Sequence, residues 1–150
     1  MNRYNGIFCL LITLELCAVN PVGVQATRDR QQGSGISQLV GNWSGESICV
    51  NKEKFPACHD EQVVYRIVQR PGKSNTLTVT MDKIVSGKPE NMAVLDFVYE
   101  PQKKTLSSEF TRNGRHGIWE FVVKDDLMDG TLTTLPDKTL VRRIKVKKDK

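Results

Sequence analysis

The side chains that most often carry metal or acid–base chemistry are concentrated at one point of this sequence, Cys58-His59-Asp60-Glu61. The only other histidine is His116. Consecutive residues of an extended chain point to alternate sides, so this run does not present its side chains to one ion. His116 follows the turn signal Asn113-Gly114 and is expected at the surface. We therefore predict no metal site and no bound cofactor.

Nucleophilic and phosphate-binding motifs are also missing from the sequence. It contains no Gly-x-Ser-x-Gly, and its serines fall in turns or on strand faces. Gly33-Ser34-Gly35 leads into a strand, whereas a phosphate loop leads into a helix N-terminus. Asp125 and Asp126 fall in a turn, so no paired carboxylates are forced together. We predict no catalytic residues and no enzymatic activity.

Residues 1–26 have the organisation of a secretory signal peptide. The apolar run Gly6–Val19 is followed by the small-residue cleavage site Val24-Gln25-Ala26. This run is shorter than the roughly 20 residues that span a bilayer, and Glu15 interrupts it, so no stable membrane insertion is expected. We predict a mature chain that begins at Thr27 and is secreted or periplasmic.

The net charge of +5 is concentrated at the C-terminus, where residues 142–150 contain six Lys or Arg side chains. A nucleic-acid-binding surface usually spreads its basic residues over a face and interleaves aromatic ones. We interpret the basic tail as a solvated strand end and expect no nucleic-acid partner.

Cysteine usage agrees with export. Cys9 and Cys17 leave with the signal peptide, so Cys49 and Cys58 remain as an even pair in an exported chain. This pairing favours a disulfide bond across the first long connection.

The rest of the chain alternates apolar and polar residues in short segments separated by turn signals, with almost no helical periodicity. Alternation with one apolar face indicates antiparallel strands around a shared interior, and eight strands suit a closed up-and-down barrel. We predict an all-β fold, with a flexible arm over 27–37 and a barrel domain over 38–150. The predicted strands are Ser37–Val50, Glu61–Arg70, Thr76–Ile84, Asn91–Tyr99, Thr105–Phe110, His116–Val123, Leu127–Leu135 and Thr139–Lys147.

Two residues of the first strand and one of the last carry a family resemblance. Gly41 and Trp43 share a strand face, and Arg142 shares a face with Leu140, Ile144 and Val146. This pattern resembles the lipocalins and other calycin barrels. The resemblance implies that Arg142 stacks on Trp43 at the closed end, and that the first long loop covers the open end.

Five aromatic residues fall on inward faces of the predicted strands. They either fill the barrel as core or line a pocket for a small apolar or amphipathic ligand, and the sequence leaves both interpretations open. The lipocalin resemblance favours a small-molecule carrier. The candidate ligand-binding residues are Tyr65, Phe97, Tyr99, Trp119 and Phe121.

A protein-binding module is the alternative function. Small periplasmic inhibitors of bacterial metalloproteases are similar in their signal peptide, eight-stranded barrel, disulfide and Leu-x-Gly-x-Trp strand, here Leu39, Gly41 and Trp43. In that family an N-terminal arm enters the protease cleft, and Thr27–Gln32 would be such an arm. A barrel without a dedicated ligand is the third interpretation.

Overall fold

A computed structural model of the protein describes residues 35–112 and 114–150. Each strand pairs antiparallel with the next along the chain, and the last pairs with the first, so that the sheet closes into a barrel. The predicted all-β, eight-stranded antiparallel up-and-down barrel is therefore confirmed. The strands are β1 (Gly41–Cys49), β2 (Glu61–Gln69), β3 (Thr76–Val85), β4 (Lys88–Glu100), β5 (Thr105–Arg112), β6 (Arg115–Lys124), β7 (Leu127–Leu135) and β8 (Thr139–Lys148).

The start of the barrel differs from the prediction. Residues 35–37 form a helical turn and β1 begins at Gly41, whereas a strand was predicted from about Ser37. Gly41 has a φ of 130°, which L side chains rarely adopt, and it lets the chain pass from the turn into the strand. Ile36 and Leu39 are each 2% exposed and belong to the core. Ile36, predicted in the flexible arm, instead plugs one end of the barrel, which we call the closed end.

The predicted signal peptide, residues 1–26, and the arm residues 27–34 lie outside the described residues. The hypothesis that the arm enters a protease therefore stays a prediction.

The barrel interior is filled by alternate residues of every strand. On β2, for example, Val63, Tyr65 and Ile67 are each 1% exposed. Burying such side chains is the main favourable contribution to folding. The largest fully buried side chains are Trp43, Tyr65, Phe97, Phe121, Ile36, Leu39, Ile67, Leu77, Met81, Leu106, Met128 and Ile144.

The predicted stack of Arg142 on Trp43 is wrong. β8 pairs with β1 so that Lys148 lies opposite Trp43, whereas Arg142 lies opposite Cys49, six residues further along β1. At about 3.3 Å per residue, Trp43 and Arg142 are about 20 Å apart along the strand. Instead, Lys148 Nζ lies 5.9 Å from the centroid of the Trp43 ring and donates a hydrogen bond to the Gln38 carbonyl at 2.6 Å.

The pairing of β4 with β5 is much shorter than any other. These strands pair at Val98–Ser107, Tyr99–Leu106 and Glu100–Thr105. Every other neighbouring pair of strands has at least seven paired positions. Beyond Val98, towards the end of the barrel opposite the closed end, the ladder between β4 and β5 is interrupted.

Candidate functional site

The β1–β2 connection, residues 50–60, lies at the end of the barrel opposite the closed end, which we call the mouth. The predicted disulfide joins Cys49 to Cys58, with their Cα atoms 5.9 Å apart. The Asp60 carboxylate accepts hydrogen bonds from the Cys49 N–H at 2.9 Å and from Lys52 Nζ at 3.2 Å. The Cys49 N–H, followed by Lys52, lowers the pKa of Asp60. These contacts fix the base of the loop. We call this loop, residues 50–60, the lid.

The lid is also attached to the β7–β8 turn. Lys54 Nζ contacts the Asp137 carboxylate and donates a hydrogen bond to Thr139 Oγ1 at 3.0 Å. Asp137 accepts a further hydrogen bond from Thr134 Oγ1 at 3.1 Å. The Lys54 contact is the main cause that lowers the pKa of Asp137. Exposed ion pairs stabilise proteins little, so the role of this contact is to set where the lid rests.

A cavity of about 440 Å³ opens under the lid. Its apolar walls are Phe55 of the lid, Phe110 of β5, Leu132 of β7 and Val141 of β8. Phe110 packs against Gly117, where an added Cβ would lie 3.1 Å from the ring, so the glycine makes room for the ring. The volume falls within the range of about 300–1,000 Å³ that is typical of small-ligand pockets.

Three nitrogen-bearing side chains, Arg112, Arg115 and His116, also line this cavity. His116 Nε2 lies 2.5 Å from Glu109 Oε1, and Arg112 donates a hydrogen bond to the Met92 carbonyl at 2.5 Å. Within the part of the chain that the structure describes, neither arginine forms an ion pair with a carboxylate. The cavity therefore carries two guanidinium charges beside aromatic and aliphatic walls.

A second group of polar side chains lies inside the barrel. Arg142 is 12% exposed, pairs with Glu61 at 3.0 Å and donates a hydrogen bond to Ser47 Oγ at 3.1 Å. The Tyr65 hydroxyl is buried without a hydrogen-bond partner, and burial raises its pKa. Arg142 thus contacts Glu61 and Ser47, and not the ring of Trp43, and its structural role stays a prediction.

The structure brings together four of the five candidate ligand-binding residues. The Phe121 ring lies at the centre of the group, with its centroid 5.9 Å from those of Tyr65 and Phe97. Trp119 stacks on Phe121 at 6.3 Å with nearly parallel planes. Tyr65, Phe97 and Phe121 are at most 2% exposed, and Trp119 is half-buried. These rings pack on each other as core.

Tyr99, the fifth candidate, lies apart at the closed end, where Gly35 approaches its ring. None of the five candidates is a wall of the mouth cavity. Trp119 comes near it, because its partner across the β6–β7 ladder is the cavity residue Leu132. A ligand-binding role for these five residues stays a prediction.

The walls of the mouth cavity were missed because they come from five distant segments. Two signals could have found part of them. Arg112 and Arg115 flank the Asn113-Gly114 turn, so a hairpin there brings both charges to one end of the barrel. Phe55 is the aromatic residue of the loop between the two cysteines. The convergence of Leu132 and Val141 with these residues depends on strand register alone.

His59 is exposed on the lid. Among residues 35–112 and 114–150, no group of three or more His, Cys, Asp or Glu side chains is placed to hold a metal ion. No helix in the described part of the chain is long and apolar enough to cross a membrane.

Comparisons with known proteins identify no family for this chain. No protein-family model and no curated protein sequence matches the chain. Among solved structures, the chain is similar to a mutant of the fluorescent protein UnaG, with a TM-score of 0.48 and 13% sequence identity. The similarity covers 77% of this chain and 99% of that chain.

Proposed function

We propose that this protein is an exported, non-enzymatic barrel that binds a small amphipathic anion at its mouth. The observation that carries the proposal is the position of Arg112 and Arg115 beside the apolar walls of the mouth cavity. The apolar part of the ligand would lie against Phe55 and Phe110, and its negative group would face the two guanidinium groups.

The energetics favour an anionic ligand over a neutral one. Hydrogen bonds to charged groups contribute about 1.5–3 kcal/mol each, roughly twice the value of neutral ones. A planar guanidinium is also suited to a carboxylate or sulfonate, which it can bind through two parallel hydrogen bonds. A neutral apolar ligand would contact only the apolar walls of the cavity and would form no charged hydrogen bond.

Two further features support the export and non-enzymatic parts of the proposal. A disulfide is stable in an oxidising compartment, which agrees with the signal peptide predicted from the sequence. Among the described residues of the cavity, Thr134 and His116 do not form a nucleophile–base pair, because the Thr134 hydroxyl donates to the Asp137 carboxylate at 3.1 Å and His116 contacts Glu109.

The proposal can be tested on the chain that begins at Thr27 with two fluorescent probes. Anilinonaphthalene sulfonate is an amphipathic anion, and N-phenylnaphthylamine is its neutral analogue. We expect saturable binding of one anionic probe per chain, weakened about tenfold or more by Arg115→Gln, since the loss of one charge-assisted hydrogen bond costs about 1.5–3 kcal/mol. Phe55→Ala should weaken the binding of both probes.

The matched control is Lys124→Gln, which removes the same charge from an exposed position at the closed end. If Lys124→Gln weakens anion binding as much as Arg115→Gln, only net charge matters and the site assignment is wrong. Absence of saturable binding would refute the proposed function. Native mass spectrometry of the protein purified gently from its own cells would give the mass of a retained ligand.

A further inference from the structure

The interrupted ladder between β4 and β5 leaves a stretch of the barrel wall without strand pairing, which we call the seam. The Tyr99 N–H donates a hydrogen bond to the Asn75 carbonyl at 2.9 Å, so the main-chain groups of Tyr99 face away from β5. Because these groups alternate along a strand, those of Val98, Asp96 and Val94 face β5. Val98 pairs with Ser107, but Asp96 and Val94 have no partner in the described part of β5.

One side chain closes the seam near the mouth. Arg112 of β5 crosses to β4 and donates a hydrogen bond to the Met92 carbonyl at 2.5 Å. Beside this contact, Leu95 of β4 and Phe110 of β5 point inward and are only half-buried, whereas Val94 points outward and is 57% exposed. Among the described residues, one hydrogen bond therefore holds the seam beyond the Val98–Ser107 pair, whereas every other pair of neighbouring strands has at least seven paired positions.

The lid is fixed far more strongly than the seam. It carries the Cys49–Cys58 disulfide, the Asp60 contacts at its base and the Lys54 contacts to the β7–β8 turn. Its Phe55 N–H also donates to the Asn51 carbonyl at 3.0 Å. Local openings of a fold occur first where the fewest hydrogen bonds must break, which is at the seam and not at the lid.

We propose that the seam is the gateway through which ligand reaches the mouth cavity, and that Arg112 is the latch that controls it. The inference rests on the proposed function, since it concerns the route to the same cavity. Arg112 lines the cavity and holds the seam at once. Opening the seam therefore exposes the cavity from the side, while the lid stays in place.

The first experiment closes the gateway covalently. If the ladder were continued past Val98–Ser107, Val94 would lie opposite Thr111, and both residues are exposed. The variant Val94→Cys/Thr111→Cys is joined by a short bis-maleimide, with the native disulfide verified as intact by mass. The control is Glu120→Cys/Thr131→Cys, joined across the continuous β6–β7 ladder. Stopped-flow fluorescence measures association and dissociation of neutral N-phenylnaphthylamine.

If ligand enters and leaves the cavity through the seam, blocking the seam slows association and dissociation by the same factor and leaves the Kd unchanged. We expect both rate constants to fall about tenfold or more at constant Kd in the seam crosslink, and to stay unchanged in the control. Unchanged rates in the seam crosslink overturn the gateway while leaving the proposed function intact. If the unmodified chain binds neither probe, the proposed function fails, and the gateway with it.

A second pair of variants tests the latch without any crosslink. Arg112→Gln and Lys124→Gln each remove one positive charge, but Lys124 is exposed at the closed end, away from the seam and the cavity. With the neutral probe, Arg112→Gln should raise both rate constants about tenfold or more at constant Kd, because one charged hydrogen bond is lost. Lys124→Gln should change neither rate. Equal kinetics in the two variants would overturn the role of Arg112.

Discussion

The substitution Trp43→Ala tests how the closed end is built. Trp43 is 0% exposed, and its indole Nε1–H donates a hydrogen bond to the Leu39 carbonyl at 2.9 Å. Its ring therefore ties β1 to the turn that plugs the barrel, and Lys148 covers the ring from the end of β8. Removing the indole leaves a large cavity and frees the plug.

The magnitude follows from these contacts. Replacing a buried large aromatic side chain by alanine costs about 3–5 kcal/mol, and the hydrogen bond to Leu39 contributes about 1 kcal/mol of that loss. Domains of this size are stable by about 5–15 kcal/mol, so the loss is about a third to a half of a stability near 10 kcal/mol. At about 4 °C per kcal/mol, the expected fall in Tm is about 12–20 °C.

Urea denaturation followed by far-ultraviolet circular dichroism measures the effect without depending on tryptophan emission. Trp43→Phe keeps most of the packing and loses the hydrogen bond, so it should cost clearly less than Trp43→Ala. Lys148→Met removes the charge above the ring together with the hydrogen bond to the Gln38 carbonyl, and it should cost about 1–2 kcal/mol. A loss below about 1 kcal/mol for Trp43→Ala would refute the conclusion that this ring holds the closed end.

Three further predictions concern the interior and the lid. Tyr65→Phe should not destabilise the protein, because the buried hydroxyl makes no hydrogen bond. Since the folded-state pKa of Tyr65 is raised, the stability of the wild type should fall as the pH rises above about 10, by up to about 1.4 kcal/mol per pH unit. Urea titration on either side of that pH measures the fall. An equally steep fall in Tyr65→Phe would contradict the role of the Tyr65 hydroxyl. Replacing Cys49 and Cys58 by alanine should lower the free energy of unfolding by about 2–3 kcal/mol in urea titrations, because the disulfide closes a loop of about 10 residues; equal stability of the two forms would contradict the loop-entropy argument. Asp137→Asn should speed hydrogen exchange in the lid. Lowering the pH should speed lid exchange in the wild type as well. Because the pKa of Asp137 is lowered in the folded protein, its contact with Lys54 is fully present above about pH 3.9 and is lost as the pH falls below that value. Lid exchange that is unaffected by both changes would show that this contact does not hold the lid.

Much of the fold could be predicted because each strand carries its own signal. Alternation such as that of Val63, Tyr65 and Ile67 identifies both a strand and its buried face, and the turn signals set its bounds to within a few residues. The disulfide followed from cysteine count and the expected export. The closed end was harder to predict, since Ile36 lies in a polar segment without periodicity. Ile36 is buried because it packs against the core residues at the end of the barrel.

The candidate site could not be predicted in the same way. The alternation of a strand shows which side chains share a face, but not which residues of the neighbouring strands lie opposite them. Alternation placed Arg142 inward correctly, but only the register of β8 against β1 decided that Lys148, and not Arg142, covers Trp43. That register is the sum of many weak pairings between segments about 100 residues apart in the chain.

The sequence by itself thus determined an all-β barrel with a buried tryptophan at its first strand and a disulfide on its first loop. The tertiary structure alone decided that Phe55 and Phe110 meet beside Arg112 and Arg115, and that the β4–β5 ladder stops early. Local composition fixes which residues are buried. Only closure of the whole sheet fixes which buried and charged residues become neighbours, because each strand's position depends on all the others.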